Sequence, residues 1–247
     1  MGNSLLRFAA LCALLTACAA PTPPGPVPLR IEATDLTAPL LSDLAAAYSE
    51  ANPAVVVAPT VLPLSIAAAD VAAARADLAL VASPDPEQFA TPVGYVSFIV
   101  VVHPSNLIFS LSAAQVQEIF AGGVTDWGQF GGPNGEIQVV GREDASDAAR
   151  AFGMSALSGA FPTPNALVAP SWPAMREAVG ENPNALGYLP VPELDATVKQ
   201  VSVDADWRAL IVAVAMNEPT GPARDFLAWV QSAAGQEVVA KRYERVK

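Results

Sequence analysis

Between Leu29 and Val81 the residues alternate strand, helix, strand, helix, strand, and that order constrains the fold more than any other feature of the chain. Leu29-Arg30-Ile31-Glu32-Ala33 has the period of two of a strand, and Thr34-Asp35-Leu36-Thr37 forms a polar turn. Pro39 is tolerated in a first helical turn, and Leu40, Leu41, Leu44, Ala45 and Tyr48 recur at helical spacing, which predicts an amphipathic helix over 38–51 ended by Asn52-Pro53. Val55 to Val57 reads as the next strand, residues 65–75 as a helix and 76–81 as a third strand. Strands separated by helices pair in parallel through right-handed crossovers, and ligands of such sheets sit at the carboxyl ends of the strands. The fold class expected is therefore α/β.

The second half repeats this grammar with a more pointed turn. Val96 to Val102 is an apolar strand ended by His103-Pro104; Ser110–Ser112 opens a helix with Val116, Ile119 and Phe120 on its inner face, stopped by Gly122-Gly123. Trp127 falls in a loop and Ile137 to Val140 is a strand. Then comes Gly141-Arg142-Glu143-Asp144-Ala145-Ser146-Asp147, leading into an alanine-rich helix. Ser146 is a good N-cap, because its hydroxyl can accept from a free amide of the first turn. A helix start reached directly from a strand also offers unpaired N–H groups and partial positive charge to an anion, and Arg142 adds a planar fork of donors. Both readings stand on this stretch: Ser146 as a plain cap with Arg142 at the surface, or both as parts of an anion site. Farther on, the pattern predicts a helix over 173–179, strands over 185–189 and 209–216, and helices over 223–232 and 236–245.

The hydrophobic fraction of 52% and a mean hydropathy of +0.36 support a large core. A net charge of -11 with only 13 Lys+Arg excludes nucleic acid as a partner, since such binding neutralises phosphates with cations. It does not exclude a small anion, which responds to the local field of one cleft.

Residues 1–17 read as a lipoprotein signal peptide: Arg7 supplies the charge, Phe8 to Leu15 the short apolar run. Leu15-Thr16-Ala17-Cys18 resembles the bacterial lipobox, which makes Cys18 the lipidated N-terminus and the anchor to the membrane. With Cys12 lost on cleavage, no disulfide or thiol chemistry is expected in the mature fold. Residues 18–28, rich in proline, read as a stalk.

The single histidine, His103, has no Cys or second His to complete a metal or catalytic site. Nucleophile elbow, P-loop and zinc spacing are all missing from the sequence, so no enzyme activity, metal or cofactor is expected. Trp127 and Trp172 lie in expected loops, where each either packs an edge or stacks on a ligand such as a sugar.

Several motifs combine into a resemblance. Ser112 to Gly122, then Thr125-Asp126-Trp127, then Val140 to Ser146, Ala185-Leu186-Gly187-Tyr188 and Ala223 to Glu237 are similar to the phosphate-binding proteins of ABC transporters, with their "T-x-W" turn, "GREDGSGT" turn and "AIGY" strand. Ala38-Pro39-Leu40-Leu41 with Asn52-Pro53 resembles the first helix of that family. The resemblance implies a two-lobed type II periplasmic-binding-protein fold, each lobe a mixed, mostly parallel sheet flanked by helices. Lobe 1 would hold residues 29–102 and 209–247, and lobe 2 residues 103–208. It implies an exported, membrane-anchored protein capturing a small oxyanion, phosphate or a relative, for an ABC permease. Arg142 and Ser146 match the arginine and serine of the anion turn, and Thr34 keeps a hydroxyl where the family has "GSST".

The departures concern the same positions. Asp147 stands where the family has glycine, Ala148 where it has threonine, and Asp35 and Leu36 replace small or hydroxyl residues. The residues expected to line the site are thus Arg142, Ser146, Asp147, Thr34 and Asp35. A carboxylate facing the cleft repels a dianion by several kcal/mol at an effective dielectric of about 20; one pointing outward simply favours the helix dipole. This opens an alternative: a degenerate binding-protein-fold lipoprotein that serves as an envelope interaction module without a transported ligand.

Overall fold

The structure is a computed structural model that describes residues 27–84, 86–132 and 134–246. Residues 1–17, Cys18 and most of the expected stalk lie outside the described residues.

The first unit runs β1 (Val27–Ala33), α1 (Ala38–Ala51), β2 (Val55–Val61), α2 (Leu64–Ala72) and β3 (Leu78–Val81). β1 pairs in parallel with both β2 and β3, in the order β2-β1-β3, as the alternation predicts. β1 begins at Val27, which pairs with Val55, two residues before the expected start of the fold. Pro28 is tolerated there because β3 pairs only from Ile31 onward, so that side of β1 needs no amide at Pro28. β3 is buried on both faces. Leu78 and Leu80 join the main core, while Ala79 and Val81 pack with Leu64, Ala67 and Val71 of α2 in a smaller cluster.

β4 (Phe89–Val102) is long because it serves both halves of the molecule. Its first half pairs with the last two strands of the chain, and Phe98 to Val102 pair with β8. The second unit comprises β5 (Ser110–Leu111), α3 (Ala113–Phe120), β6 (Gln138–Gly141), α4 (Asp147–Ala156), β7 (Leu167–Val168), α5 (Trp172–Glu181), β8 (Ala185–Pro190) and β9 (Lys199–Val203). β10 (Trp207–Ala215) returns antiparallel to β4, and α6 (Gly221–Gln231), α7 (Ala233–Val239) and β11 (Glu244–Arg245) close the chain. The main path of the sheet is β2-β1-β3-β10-β4-β8-β6-β7, with parallel sets at each end and the antiparallel pair β10-β4 between them.

Local chemistry explains the boundaries. Ser112 and Gln115 form a reciprocal capping box at the start of α3, and Gly122, at φ +76°, takes the left-handed turn beyond its end. Val116, Ile119 and Phe120 are fully buried, each contributing about 1.5–3 kcal/mol of apolar burial. Gly187 lets α5 approach β8: a Cβ there would meet Met175 Sδ at 2.8 Å and Val179 Cγ2 at 2.9 Å. Helix was expected over 236–245, but α7 stops at Val239. Glu244 and Arg245 pair as a strand with Tyr95 and Gly94, where the absence of a side chain on Gly94 admits the passing backbone.

The tryptophans are core residues. Trp127 is 1% exposed and donates from Nε1 to the Asn184 carbonyl at 3.1 Å. Trp172, expected in a loop, is the first residue of α5 and is also buried. Neither ring is free to stack on a sugar. Among the described residues, the His103 ring engages its own turn, through Ser105.

Candidate functional site

The carboxyl ends of β1, β3 and β6 meet at one place, and the turns after them carry every expected site residue. β6 ends at Gly141, Arg142 follows, and the turn closes when Ser146 N donates to the Glu143 carbonyl at 2.8 Å. Ser146 Oγ then accepts from Ala149 N at 3.1 Å and caps α4. Its hydroxyl oxygen caps the helix as an acceptor, which leaves the O–H proton free to donate.

Asp147, first residue of α4, does not point outward. It is 1% exposed, and its carboxylate reaches across to the turns after β1 and β3. It accepts from Thr34 Oγ1 at 2.7 Å and from Ala82 N at 2.9 and 3.1 Å to its two oxygens. Ser83 Oγ adds a longer contact, donating to the Asp147 carbonyl at 3.5 Å. Burial pushes the Asp147 carboxyl above the usual aspartate range, while the bonds from Ala82, Thr34 and Ser83 work to hold it down. Of the two orientations open at this position, the side chain takes the inward one. The α4 dipole favours negative charge at this point, and the donors of the first unit draw the carboxylate inward.

Thr34 is itself fixed. Its amide donates to Thr37 Oγ1 at 3.1 Å, and Thr37 Oγ1 donates to the Leu80 carbonyl at 2.6 Å. Thr37, fully buried, ties the turn after β1 to β3 and so sets the distance between Thr34 and Ala82.

Arg142 faces the same junction from the second unit. Its guanidinium is 5% exposed, pairs through Nη2 with Asp35, and lies 4.6 Å from the centroid of the Trp172 ring. Nε and Nη1 are buried with no hydrogen-bond partner among the described residues. Behind Trp172 stands an aromatic cluster in which Phe152 and Tyr188 stack at 3.7 Å and Trp172 meets Tyr188 edge-on. This packing fixes the arginine stem and leaves its charged end to the gap. A cavity of about 420 Å³ opens beside these groups, lined by Thr34, Asp35, Ser65, Arg142, Ser146 and Asp147.

All five expected residues are therefore together, but not as independent donors. Each unit supplies a carboxylate to the other: Asp147 to Thr34 and Ala82, Asp35 to Arg142. Sequence reasoning missed Thr37, the Ala82 amide and the stacking of Trp172 on Arg142. A hydroxyl at the last position of the turn before α1 was the available signal for Thr37; a backbone amide leaves none.

A domain described as the PBP superfamily domain matches residues 19–233. The phosphate-binding protein PstS of Bacillus subtilis (strain 168) is 29% identical over 113 residues, a stretch covering 45% of this chain and 37% of that protein. Among solved structures, a Clostridium perfringens protein described as a phosphate ABC transporter substrate-binding protein, with bound phosphate, superposes with a TM-score of 0.79 at 22% identity, covering 89% of this chain and 100% of that one. An ABC-type phosphate transport receptor from Vibrio cholerae gives 0.75 at 20% identity, with coverage of 89% and 100%. OxyR of Corynebacterium glutamicum also superposes, at a TM-score of 0.65 and 16% identity over 88% of this chain and 68% of that one, so the architecture alone does not fix a role. The match over residues 19–233, the two-unit α/β architecture and the meeting of its strand ends at one cleft agree: the chain belongs to the PBP superfamily and has the two-lobed type II periplasmic-binding-protein fold.

Proposed function

We propose that this protein is an extracytoplasmic solute-binding protein, anchored by lipid at Cys18, that captures a small oxyanion of the phosphate kind and delivers it to an ABC permease. Residues 29–102 and 209–247 would form one lobe and 103–208 the other, with the ligand held between them. The observation that carries the reading is that the niche at Thr34, Ala82 and the start of α4 already holds an oxyanion group, the carboxylate of Asp147. Donors that satisfy a buried carboxylate suit the oxygens of a phosphate equally well. Arg142 supplies the positive charge, with two further nitrogens, Nε and Nη1, unpartnered among the described residues. The α4 amides complete the set, and Ser146 serves by shaping the helix mouth. Closing of the lobes on the anion is a shift of population between open and closed forms. The role is binding, with no bond made or broken.

A thermal-shift screen with phosphate, sulfate and molybdate tests this. A ligand at one hundred times its Kd stabilises by about 2.7 kcal/mol, a shift of several degrees. Phosphate is expected to raise the melting temperature, and Arg142→Ala to weaken that response at least tenfold in concentration. A flat response to all three anions overturns the capture reading.

A second reading rests on the same geometry. Because Asp147 and Asp35 take up donors of the niche, the fold also suits an envelope interaction module without a transported ligand. The flat response would favour it.

A further inference from the structure

We infer that Asp147 and Asp35 are built-in surrogate ligands: each half of the molecule inserts a carboxylate into the donor set of the other, holding the cleft closed without an anion, and an incoming oxyanion enters by exchange with them. The exchange step rests on the capture reading above; the closure does not.

The contacts are reciprocal and cross the junction. Asp147 sits at the head of α4, yet its oxygens bind Thr34 Oγ1 and the Ala82 amide, which follow β1 and β3. Asp35, beside Thr34, binds the Arg142 guanidinium that follows β6. In binding proteins that close by population shift, the ligand bridges the two halves and is what favours the closed form. Here side chains of the protein form that bridge, and Asp147 is sealed at 1% exposure as a bound ligand would be. The two positions differ in access: the Asp35 side chain is 38% exposed, so its oxygen can be replaced at Arg142 from the cavity while Asp147 stays in place.

Charge determines the consequence. Arg142 is the one cation in a cavity lined also by Asp35, Glu143 and Asp147, so a dianion meets a net negative niche until Asp35 withdraws. A monoanion is opposed less. Asp147 is released when the halves part.

Hydrogen–deuterium exchange on the full chain, dialysed free of phosphate and sulfate, tests the closure. The peptides carrying Ala82 and Asp35 are expected to exchange slowly without ligand and to change little when inorganic phosphate is added. The double variant Asp35→Ala/Asp147→Ala, its fold checked by circular dichroism, is expected to exchange at least tenfold faster at Ala82 and to regain protection with phosphate. If the double variant does not fold, Asp35→Ala alone, at the half-exposed position, carries the test and must also speed exchange. Fast exchange in the ligand-free parent that slows with phosphate overturns the proposal, as does an Ala82 amide equally protected in the folded variants. A variant that opens but does not respond to phosphate would leave the closure standing and remove the capture reading.

Discussion

Two carboxylates are buried against the same strand, and their surroundings differ. Asp147 meets donors at the end of β1: the Thr34 hydroxyl and, beside it, the Ala82 amide. Glu32, inside β1 and 7% exposed, has an Oε2 with no hydrogen-bond partner among the described residues and faces Asp70 of α2. Burial, together with a hydrogen bond to Asp70 and its negative charge, pushes the Glu32 carboxyl up to about 7, against the weaker pull of Arg75 and Arg30. Desolvation raises both acids; only at Asp147 do aimed donors oppose it. The difference separates an oxyanion niche from a mere buried acid. The niche is marked by converging N–H and O–H groups, and the acid position by a second carboxyl beside the first.

Removing a donor should make Asp147 resemble Glu32. Thr34→Ala leaves the buried carboxylate with the Ala82 amide as its main remaining partner, and the lost hydrogen bond to a charged group is expected to cost about 1–3 kcal/mol. Thr34→Ser, which keeps the hydroxyl, should recover most of it. Denaturant unfolding with an unchanged slope measures both, and equal stability of the two variants would mean that Thr34 does not hold Asp147.

The second effect depends on pH. Because the Glu32 carboxyl is raised from 4.5 to about 7, the folded chain binds more protons than the unfolded chain between those values. Stability therefore falls as pH rises through that window. Glu32→Gln keeps a donor toward Asp70 without the titration and is expected to flatten this part of the stability profile. A slope between pH 4.5 and 7 that is the same in parent and variant would place the proton elsewhere.

How much of this was legible in the sequence follows the range of each interaction. The β1-α1-β2-α2-β3 order, the helix opened at Ser112 and the cap at Ser146 depend on neighbours a few residues away, and all appear in the structure. Position along the chain likewise brought Arg142, Thr34, Asp35 and Asp147 to one junction. The direction of the Asp147 side chain was not legible: a residue at the first position of a helix points outward or inward according to what the opposite half offers. Here the offer is partly a backbone amide, which any residue at position 82 would carry. The stack of Trp172 on Arg142 depends on how α5 docks beside β6, again a contact between distant segments. The close of the chain was misread because pairing with Tyr95 and Gly94, rather than local helix propensity, determines the fate of Glu244 and Arg245.

Asp35 gives the comparison a third point, a carboxylate with a cation but without burial. Its partner Arg142 is buried, while the Asp35 side chain is 38% exposed, so solvent screens much of their attraction. Asp35→Ala is therefore expected to change stability by only about 0–1 kcal/mol, less than Thr34→Ala. It also leaves the guanidinium without its carboxylate, so the variant should bind phosphate more tightly than the parent, and the gain should shrink in high salt as the ionic contribution is screened. Calorimetry with phosphate at low and high ionic strength reads both quantities. Weaker binding in the variant would mean that Asp35 orients Arg142 for the anion instead of competing with it, and the ordering of the three carboxylates by burial and donor count would no longer describe the cleft.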